Sequence, residues 1–556
     1  MSQLRSRRFV ILAMLLTLAI FGAACASQDG GDTAQTDEGE PQQGGTVIVG
    51  AEQEPAGGLN VELVCCTLAW GEWIQAQVLE GAFENQPDFS YAPNIVSADP
   101  EITDDPFTLT YTIRDEAVWS DETPITADDF EFTWQAYIDE KNQVASRDGY
   151  DDIDSAEIID DKTIKFTFKA PYAGWRDLFN PVLPKHVLEG QNFNKIWTKG
   201  WVNADGEPIA SGPFMFESYN KGADLTLVAN DNWWGEGGPY LDEIVFRFLP
   251  ETNTEIQSLR GGEVDMIYPQ PQLELIPLYE QPDLEIETNA GTTWEHIDIQ
   301  VGENGHPALR EHFVREALAY AIDRDALVQQ LFGDLSPELT PLHNTIYMQN
   351  QDEYAPNWEE YAADPAKAEQ LLTDGGCEKG GDGVFVCNGE PLEFEFTSTA
   401  GNALRELAFE VIQEQLRPLG IRLTSGFGDA AVVFGNKVLV NGNYDLFMFA
   451  WVGTADPAGS VEIWKCEGSQ NFTGYCNEEA SQALEDSNEA LDNAARADLL
   501  NQADELMSQD IPTIPLYQKP TFFAYSSRVH GLADNPTQEG FTWNSEEWWV
   551  EGGSDA

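Results

Sequence analysis

Six of the seven cysteines in this chain fall into close pairs, and their spacing suggests disulfide chemistry. Cys377 and Cys387 flank a glycine-rich stretch, and Cys466 and Cys476 are likewise about ten residues apart. Such pairs are typical of proteins that fold in an oxidising compartment. Zinc binding is the rival interpretation, but the chain has no C-x2-C motif and no histidine at ligand spacing. We therefore predict two disulfides, Cys377–Cys387 and Cys466–Cys476.

No catalytic motif stands out elsewhere. The sequence lacks a phosphate-binding loop, a nucleophile elbow and an H-E-x-x-H motif, and its six histidines show no ligand pattern. Adjacent acids such as Asp128–Asp129 and Asp151–Asp152 do not fit a calcium-binding loop, so we interpret them as helix caps or solvated turns. We expect no enzymatic activity, no cofactor and no metal. A secreted hydrolase with distant catalytic carboxylates stays open as an alternative.

The N-terminus has the pattern of an export signal. Three arginines precede an apolar run at 9–21 that is too short to span a bilayer, and small residues then lead to Cys25. This ending resembles a bacterial lipobox, which implies a signal peptide at 1–25 and a lipidated Cys25. Gly22 departs from that motif, which usually has Leu there. Ordinary cleavage after the A-x-A-type site at 24–26 is the alternative and would leave no lipid.

The polar segment at 26–45 contains no large apolar residue and is predicted to be a disordered tether. The folded body starts near Thr46. About 510 residues remain from there, which is too many for one hydrophobic core, so at least two lobes are expected.

The net charge of the chain excludes nucleic acid as a partner. The chain has 96 Asp and Glu against 29 Lys and Arg, a formal net charge of -67. A surface of this sign repels nucleic acid and anionic lipid headgroups. The acidity could attract cationic ligands or could form a solvated surface. We favour the solvated surface, because the acids are scattered along the chain.

Strand and helix patterns alternate along the body. Residues 107–113 and 163–168 alternate in polarity as strands do, and Thr126 opens an amphipathic helix with Asp129 at its third position. Apolar residues recur at helical spacing over 313–332, and a later helix is predicted from about 478 to 507. This interleaving favours an α/β architecture.

The order of local motifs resembles family 5 of the bacterial extracellular solute-binding proteins, the oligopeptide and dipeptide receptors of ABC importers. The matching segments span nearly the whole chain in the family's order. They are YTIRDEAVWSDETPITADDF (111–130), LPKHV (183–187), SGPFMF (211–216), NDNWW (230–234), LRGGEVD (259–265), VREALAYAIDR (314–324), NFTGY (471–475) and IPTIPL (511–516).

This resemblance implies a two-lobed periplasmic-binding-protein-like fold of α/β class, with a subdomain inserted in the first lobe. The motifs predict a first lobe at 46–86, 211–300 and 519–556, an inserted subdomain at 87–210 and a second lobe at 301–518. Closure of the hinge around a ligand would be the functional motion, which the importer senses.

The segment at 445–457 departs from the family's peptide receptors. Those proteins carry a Trp-x-x-Asp whose carboxylate meets the peptide's α-ammonium group. Here Trp451, Val452 and Gly453 are followed by Thr454 at the position of that Asp. Asp456 either reaches the same point or belongs to an Asp-Pro turn. Trp451 is predicted to line the ligand pocket, with core packing as the alternative.

On the facing lobe, the resemblance predicts six consecutive residues at the edge of the cleft. They are Cys65, Cys66, Thr67, Leu68, Ala69 and Trp70. A vicinal disulfide between the two cysteines would present a rigid apolar surface beside the indole ring. Alternatively, both cysteines are buried as small apolar side chains.

Together these features predict the extracytoplasmic binding component of an ABC importer, a monomer held by lipid on the outer side of the membrane. Its expected partners are a small solute, most simply an oligopeptide, and an ABC permease with its ATPase. Alternatives are the same fold with a non-peptide solute such as an oligosaccharide, the secreted hydrolase, and a signalling receptor without transport.

Overall fold

The computed structural model describes residues 40–55, 57–435 and 437–552. The predicted signal peptide, Cys25 and the tether up to residue 39 lie outside these ranges. Within them, no helix combines the length and the apolar character needed to cross a lipid bilayer.

A seven-stranded sheet is built around the strand Thr46–Ala51, in which Val47 and Val49 are fully buried. This strand pairs in parallel with both of its neighbours, and the outer strands pair antiparallel. In spatial order the strands are Leu284–Glu287, Phe523–Ser526, Met266–Ile267, Thr46–Ala51, Glu243–Phe248, Asp224–Ala229 and Phe214–Asn220.

A five-stranded mixed sheet contains the strand Thr513–Pro520, whose 8 residues are all buried. Burial on both faces requires a cover on each side of the sheet. The strands in spatial order are Arg422–Ser425, Glu393–Thr397, Leu446–Val452, Ala290–Ile299 and Thr513–Pro520. The longer helices of this part of the chain are His312–Ala321, Arg324–Phe332, Pro365–Asp374, Ala403–Leu416, Glu478–Glu489 and Asn493–Asp510.

A four-stranded antiparallel sheet occupies the predicted insertion. Its spatial order is Glu101–Asp104, Phe107–Thr112, Thr163–Phe168 and Ile153–Asp160. The helix Ala127–Ile138 packs on this sheet, and the Asp129 carboxylate accepts a 2.8 Å hydrogen bond from the Thr126 amide at its start. The strand and helix patterns predicted here are confirmed.

Shorter elements complete the described chain. The helices are Ala69–Ala76, Lys185–Leu188, Thr252–Arg260, Ala430–Val433 and Ser460–Trp464. The strands are Phe83–Asn85 with Tyr91–Pro93, Val529–His530 with Trp549–Val550, and a small sheet of Glu378–Lys379, Phe385–Cys387 and Glu390–Pro391.

Two long helical patterns are each divided in the structure. The pattern at 313–332 breaks before Asp323, whose carboxylate accepts a 2.8 Å bond from the Ala326 amide. The pattern at 478–507 breaks before Asp492, which caps the next helix through Ala495 at 2.9 Å. An Asp side chain that bonds to nearby amides competes with helix continuation, and apolar periodicity does not reveal this.

Two large apolar clusters follow the sheets. One joins the seven-stranded sheet to the four-stranded sheet, and the other contains the five-stranded sheet and its helices. The strand Ala290–Ile299 pairs on both sides within the five-stranded sheet. The chain therefore passes from the seven-stranded sheet to the five-stranded sheet at 288–289, and the predicted lobe boundary near 300 stays a prediction.

The chain crosses between described strands of the two large sheets through two short connections, 288–289 and 521–522. They lie side by side: the Thr521 amide donates to the Asn289 carbonyl at 2.8 Å. One oxygen of the Asp534 carboxylate accepts from the Asn289 side-chain amide at 2.8 Å and from the Thr521 hydroxyl. A single carboxylate therefore ties both crossings together.

A buried ion triad holds the strands that lead into these crossings. The carboxylate of Glu295, 1% exposed, accepts from Arg405 Nη2 at 2.9 Å and lies 2.8 Å from Lys519 Nζ. Burial alone would raise the pKa of Glu295, but the two cations outweigh burial and lower it to about 2. The triad links two adjacent strands to the helix Ala403–Leu416.

Replacing Glu295 with Gln should destabilise the protein by about 3 to 5 kcal/mol, because two buried cations lose their counter-charge. Urea unfolding monitored by tryptophan fluorescence measures this loss. The matched control is Glu414→Gln, which removes the exposed partner of Arg417 and should cost about 0 to 1 kcal/mol. Equal losses in the two variants would contradict a stabilising triad.

Candidate functional site

A cavity of about 370 Å³ lies between parts of the chain that belong to different sheets. Its walls come from 61–79, which includes the helix Ala69–Ala76, and from 137–181 in the region of the four-stranded sheet. The loop at 454–459, which follows a strand of the five-stranded sheet, and residues 538–539 complete them. A ligand in this cavity would contact both large parts of the fold.

Carboxylates dominate the polar wall of this cavity. They are Glu62, Glu72, Asp148, Asp177, Asp456 and Glu539. No Lys or Arg is among the described residues that line it. This set of acids without a lining cation favours cationic ligand groups over anionic ones.

Most of these carboxylates are held by neutral donors. Glu62 accepts from the Tyr137 hydroxyl and from Gln75 Nε2 at 2.7 Å. Asp177 accepts from the Tyr91 hydroxyl at 2.6 Å. Neutral donors orient a carboxyl group but supply no counter-charge, so a cationic group of a ligand would add the missing one.

Burial raises the pKa values of several of these carboxyl groups. Burial raises the pKa of Glu62 to about 7. Burial also raises the pKa of Asp177, and repulsion from Asp456 adds to the shift. The pKa values of Glu72 and Glu539 are raised by burial as well, and Glu72 is raised further by its proximity to Glu539.

Asp456 differs from the other acids because a cation holds it. Arg496 Nη1 and Nη2 donate to its two oxygens at 2.5 and 2.6 Å, and the Ala458 amide donates to Oδ1 at 2.8 Å. The Thr454 hydroxyl donates to the Asp456 carbonyl. Of the two roles considered from sequence, the geometry gives Asp456 that of a turn and helix-cap residue with a saturated carboxylate.

Three of the predicted cleft residues, Thr67, Thr454 and Asp456, line the cavity. The others do not: Cys65, Cys66, Leu68, Ala69, Trp70, Trp451, Val452 and Gly453. Trp70 is 1% exposed and packs edge-on against Trp73 and Phe541, and Trp451 stacks on Phe472. Both indole rings therefore pack against other aromatic rings of the protein. A contact of these eight residues with a ligand stays a prediction.

Sequence reasoning missed an aromatic wall. Trp73, Tyr137, Tyr150 and Tyr172 line the cavity, and the rings of Tyr137 and Tyr150 stack with centroids 4.1 Å apart. A helical-wheel argument could have predicted Trp73 as a wall residue, because it shares a helix with the buried Trp70. The tyrosines were not, since only the tertiary fold brings residues 137–172 next to helix Ala69–Ala76.

The cysteines lie in pairs at bonding distance. The S–S distances are 1.94 Å for Cys377–Cys387, 2.00 Å for Cys466–Cys476 and 2.10 Å for Cys65–Cys66. Across the described residues, no group of three or more His, Cys, Asp or Glu side chains is arranged to hold a metal ion.

Residues 90–472 match the family model described as "Bacterial extracellular solute-binding proteins, family 5 Middle". The chain belongs to this family. The resemblance found in the sequence motifs is therefore confirmed, and with it the assignment to an extracellular class of binding proteins.

Relatives match over long stretches. Oligopeptide-binding protein AppA of Bacillus subtilis (strain 168) is 24% identical over 98% of this chain and 99% of its own length. Oligopeptide-binding protein OppA of Mycobacterium tuberculosis (strain ATCC 25618 / H37Rv) is 29% identical over 77% of this chain and 73% of its own.

Solved structures share the fold. The periplasmic EDTA-binding protein EppA superposes with a TM-score of 0.84 at 27% identity, covering 92% of this chain and 97% of its own. AppA from Bacillus subtilis in complex with a nonapeptide gives 0.77 at 22% identity, covering 92% and 100%. The predicted fold class, a two-lobed periplasmic-binding-protein-like fold with an insertion in the first lobe, is confirmed.

The ligand-free protein should become more stable as the pH falls from 8 to 5. A buried carboxyl whose pKa is raised from 4.5 to about 7, such as Glu62, contributes stability that is full below 4.5 and lost as the pH rises through 7. Thermal unfolding at half-unit pH steps measures this. Glu62→Gln should flatten the curve, whereas Glu101→Gln, on an exposed strand, should not. A melting temperature that falls toward pH 5 would contradict the assignment.

Proposed function

We propose that this protein captures an oligopeptide between its two lobes and delivers it to the permease and ATPase of an ABC importer. The observation that carries the proposal is the composition of the cavity walls. Helix Ala69–Ala76 and residues 137–181 lie on one side, and the loop at 454–459 lies on the other. A ligand that bridges these walls stabilises the closed state relative to the open one, and the importer distinguishes the two states.

The lobes proposed here follow the sheets. The first lobe comprises 46–86, 211–289 and 521–552, with the inserted subdomain at 87–210, and the second comprises 290–520. Two short connections between them form the hinge, at 288–289 and 521–522. Hinge closure of this kind needs only a few residues that change their backbone angles.

Peptide as the ligand is supported by the relatives named for oligopeptide binding and by the chemistry of the walls. Because Arg496 saturates Asp456, we assign the peptide's α-ammonium group to Asp177 or Glu539, whose partners are neutral donors. The Trp73 and tyrosine wall offers apolar surface for side chains of varied sequence. Family membership supports binding rather than hydrolysis, and recovery of an added peptide intact after incubation tests it.

An oligosaccharide remains the second candidate, favoured by the same aromatic wall, since sugar faces stack on indole and phenol rings. Structural neighbours include proteins solved with Ni(L-His) and with agropinic acid, so the fold accepts small solutes of other kinds. Mass spectrometry of molecules that co-purify with the protein under native conditions separates the candidates. A ladder of peptide masses supports the proposal, and a sugar mass overturns it.

A bulky side chain at position 459 should block binding without unfolding the protein. Gly459 lines the cavity with φ of -60°, and a Cβ added there meets no atom within 4 Å. We expect Gly459→Trp to abolish peptide binding in calorimetry and to leave the melting temperature of the ligand-free protein unchanged.

The matched control for this variant is Gly381→Trp. A Cβ at position 381 also meets nothing, and this residue is not part of the cavity wall. It should bind peptide as the parent protein does. Unchanged affinity in Gly459→Trp would contradict this location of the site.

We assign the membrane anchor to lipid on Cys25, which the family's extracellular placement and the lipobox-like motif support. Cys25→Ser should move the protein from the membrane fraction to the soluble extracytoplasmic fraction, because a chain without acyl groups loses its hold on the bilayer. Fractionation with mass analysis of the N-terminal peptide measures this. A parent protein that is already in the soluble fraction, with an unmodified N-terminal peptide, would instead favour cleavage without lipidation.

A further inference from the structure

A second cavity, of about 430 Å³, adjoins the first. The two share Ala76, Leu79, Asn180 and Glu539 as wall residues, so they form neighbouring compartments along helix Ala69–Ala76. An elongated ligand that passes this shared wall would occupy both.

The second cavity is also acidic. Its carboxylates are Glu80, Glu84, Glu116, Glu236, Glu539 and Glu546. Arg114 is the one Lys or Arg among the described residues that line it. Its guanidinium lies 3.9 Å from a Glu116 oxygen and donates to the Asn94 carbonyl at 2.6 Å and the Pro93 carbonyl at 3.1 Å, which leaves five of the six acids without this partner. The local charge is therefore far from balanced.

Two acceptor oxygens in this wall have no hydrogen-bond partner among the described residues. Glu80 is 8% exposed; its Oε1 accepts from Trp233 Nε1 at 2.9 Å, and no described residue bonds to its Oε2. Gln77 is 2% exposed; its amide nitrogen donates to the Trp73 carbonyl, and no described residue bonds to its Oε1. Buried acceptors without donors are costly, and the N–H groups of an ammonium or guanidinium would satisfy both.

One donor in the same wall is also unpaired. Trp234 Nε1 is buried and has no partner within the part of the chain that the structure describes. A peptide carbonyl would accept from this indole N–H, whereas a simple polyamine has no acceptor to offer. The unpaired groups therefore match a ligand that combines positive charges with carbonyl oxygens.

The pKa values of two wall carboxyls are raised, as expected for buried acids without a counter-charge. Burial raises the pKa of Glu84 to about 8, and repulsion from Glu546 and Glu539 adds to the shift. Burial raises the pKa of Glu546 to about 7. No described Lys or Arg contributes to these two shifts, and a cationic ligand would supply a positive charge.

The first cavity adds aromatic faces to its own acids. Trp73 and three tyrosines lie beside Glu62, Glu72 and Asp177. Aromatic rings next to carboxylates favour ammonium and guanidinium groups through cation–π attraction as well as charge. Anionic solutes would meet repulsion in both compartments.

We propose that the ligand is a basic oligopeptide that spans both cavities, with one positive group in the aromatic, acidic first cavity and a Lys or Arg side chain in the second. This inference rests on the proposed function, that the cleft captures peptides. It narrows the substrate class to peptides that carry at least two positive charges.

Calorimetry of the purified full chain with four probes tests the proposal. They are the pentapeptide Ala-Lys-Ala-Lys-Ala, its analogues with Gln or with Glu in place of both Lys, and spermidine. We expect the Lys peptide to bind at least tenfold more tightly than the Gln peptide, with affinity that falls as salt is added. The Glu peptide and spermidine should bind at least a hundredfold more weakly.

Charge-removing variants locate the second positive group. Glu84→Gln and Glu546→Gln should each weaken binding of the Lys peptide about five- to tenfold and leave that of the Gln peptide unchanged. Glu101→Gln removes one charge on an exposed strand away from both cavities and should alter neither affinity.

The outcomes separate the two levels of the proposal. If the Gln or Glu peptide binds as tightly as the Lys peptide, the preference for basic ligands is overturned while peptide capture stands. If spermidine binds and no peptide does, peptide capture itself is overturned. If Glu84→Gln and Glu101→Gln have equal effects, the assignment of the second cavity fails, since only general charge would be acting.

Discussion

The buried carboxylate of Glu295 is the interaction on which the junction of the two large sheets depends. It binds Lys519 in the neighbouring strand and Arg405 on the covering helix, so both strands that lead to the crossings are held at fixed spacing. Lys519 also donates to Gln270 at 3.1 Å, and Gln270 in turn contacts Glu52 on the side of the seven-stranded sheet. Charge attraction inside the protein therefore continues across the junction of the two sheets.

Much of the fold follows from local pattern. Residues 107–113 and 163–168 became strands because their alternating apolar residues have a core on one side, and Thr126 began a helix because Asp129 reaches back to its amide. The two divided helices show where such reasoning stops. Asp323 and Asp492 lie inside periodic apolar patterns, yet each carboxylate binds backbone amides ahead of it and starts a new helix. Local pattern also could not predict that 290–299 joins the five-stranded sheet, since its partner strands lie more than a hundred residues away.

The acidic site shows a different limit of sequence reasoning. The acids were judged to be a solvated surface because they are scattered along the chain, and many are exposed. Distance along the chain is a poor guide to distance in space, however. Glu62, Asp177 and Glu539 come from three remote segments and meet around one cavity, whereas the adjacent pair Asp151–Asp152 does not line it. Sequence also cannot show which acids already have a counter-ion. Asp456 is paired with Arg496, which lies 40 residues away in the chain, and only the fold reveals this pair.

Residue 539 closes a cavity whose first wall begins at residue 61, and Asp534 ties the two crossings a few positions earlier. The order in which the chain is made therefore matters to this protein. Residues 61–79 leave the ribosome long before 534–539 do, so the early wall exists for much of synthesis without its counterpart. The cavity is complete only when the late segment lies beside the first wall. Enclosure of a ligand there is thus a property of the finished chain, because a nascent chain that lacks 538–539 has an incomplete wall.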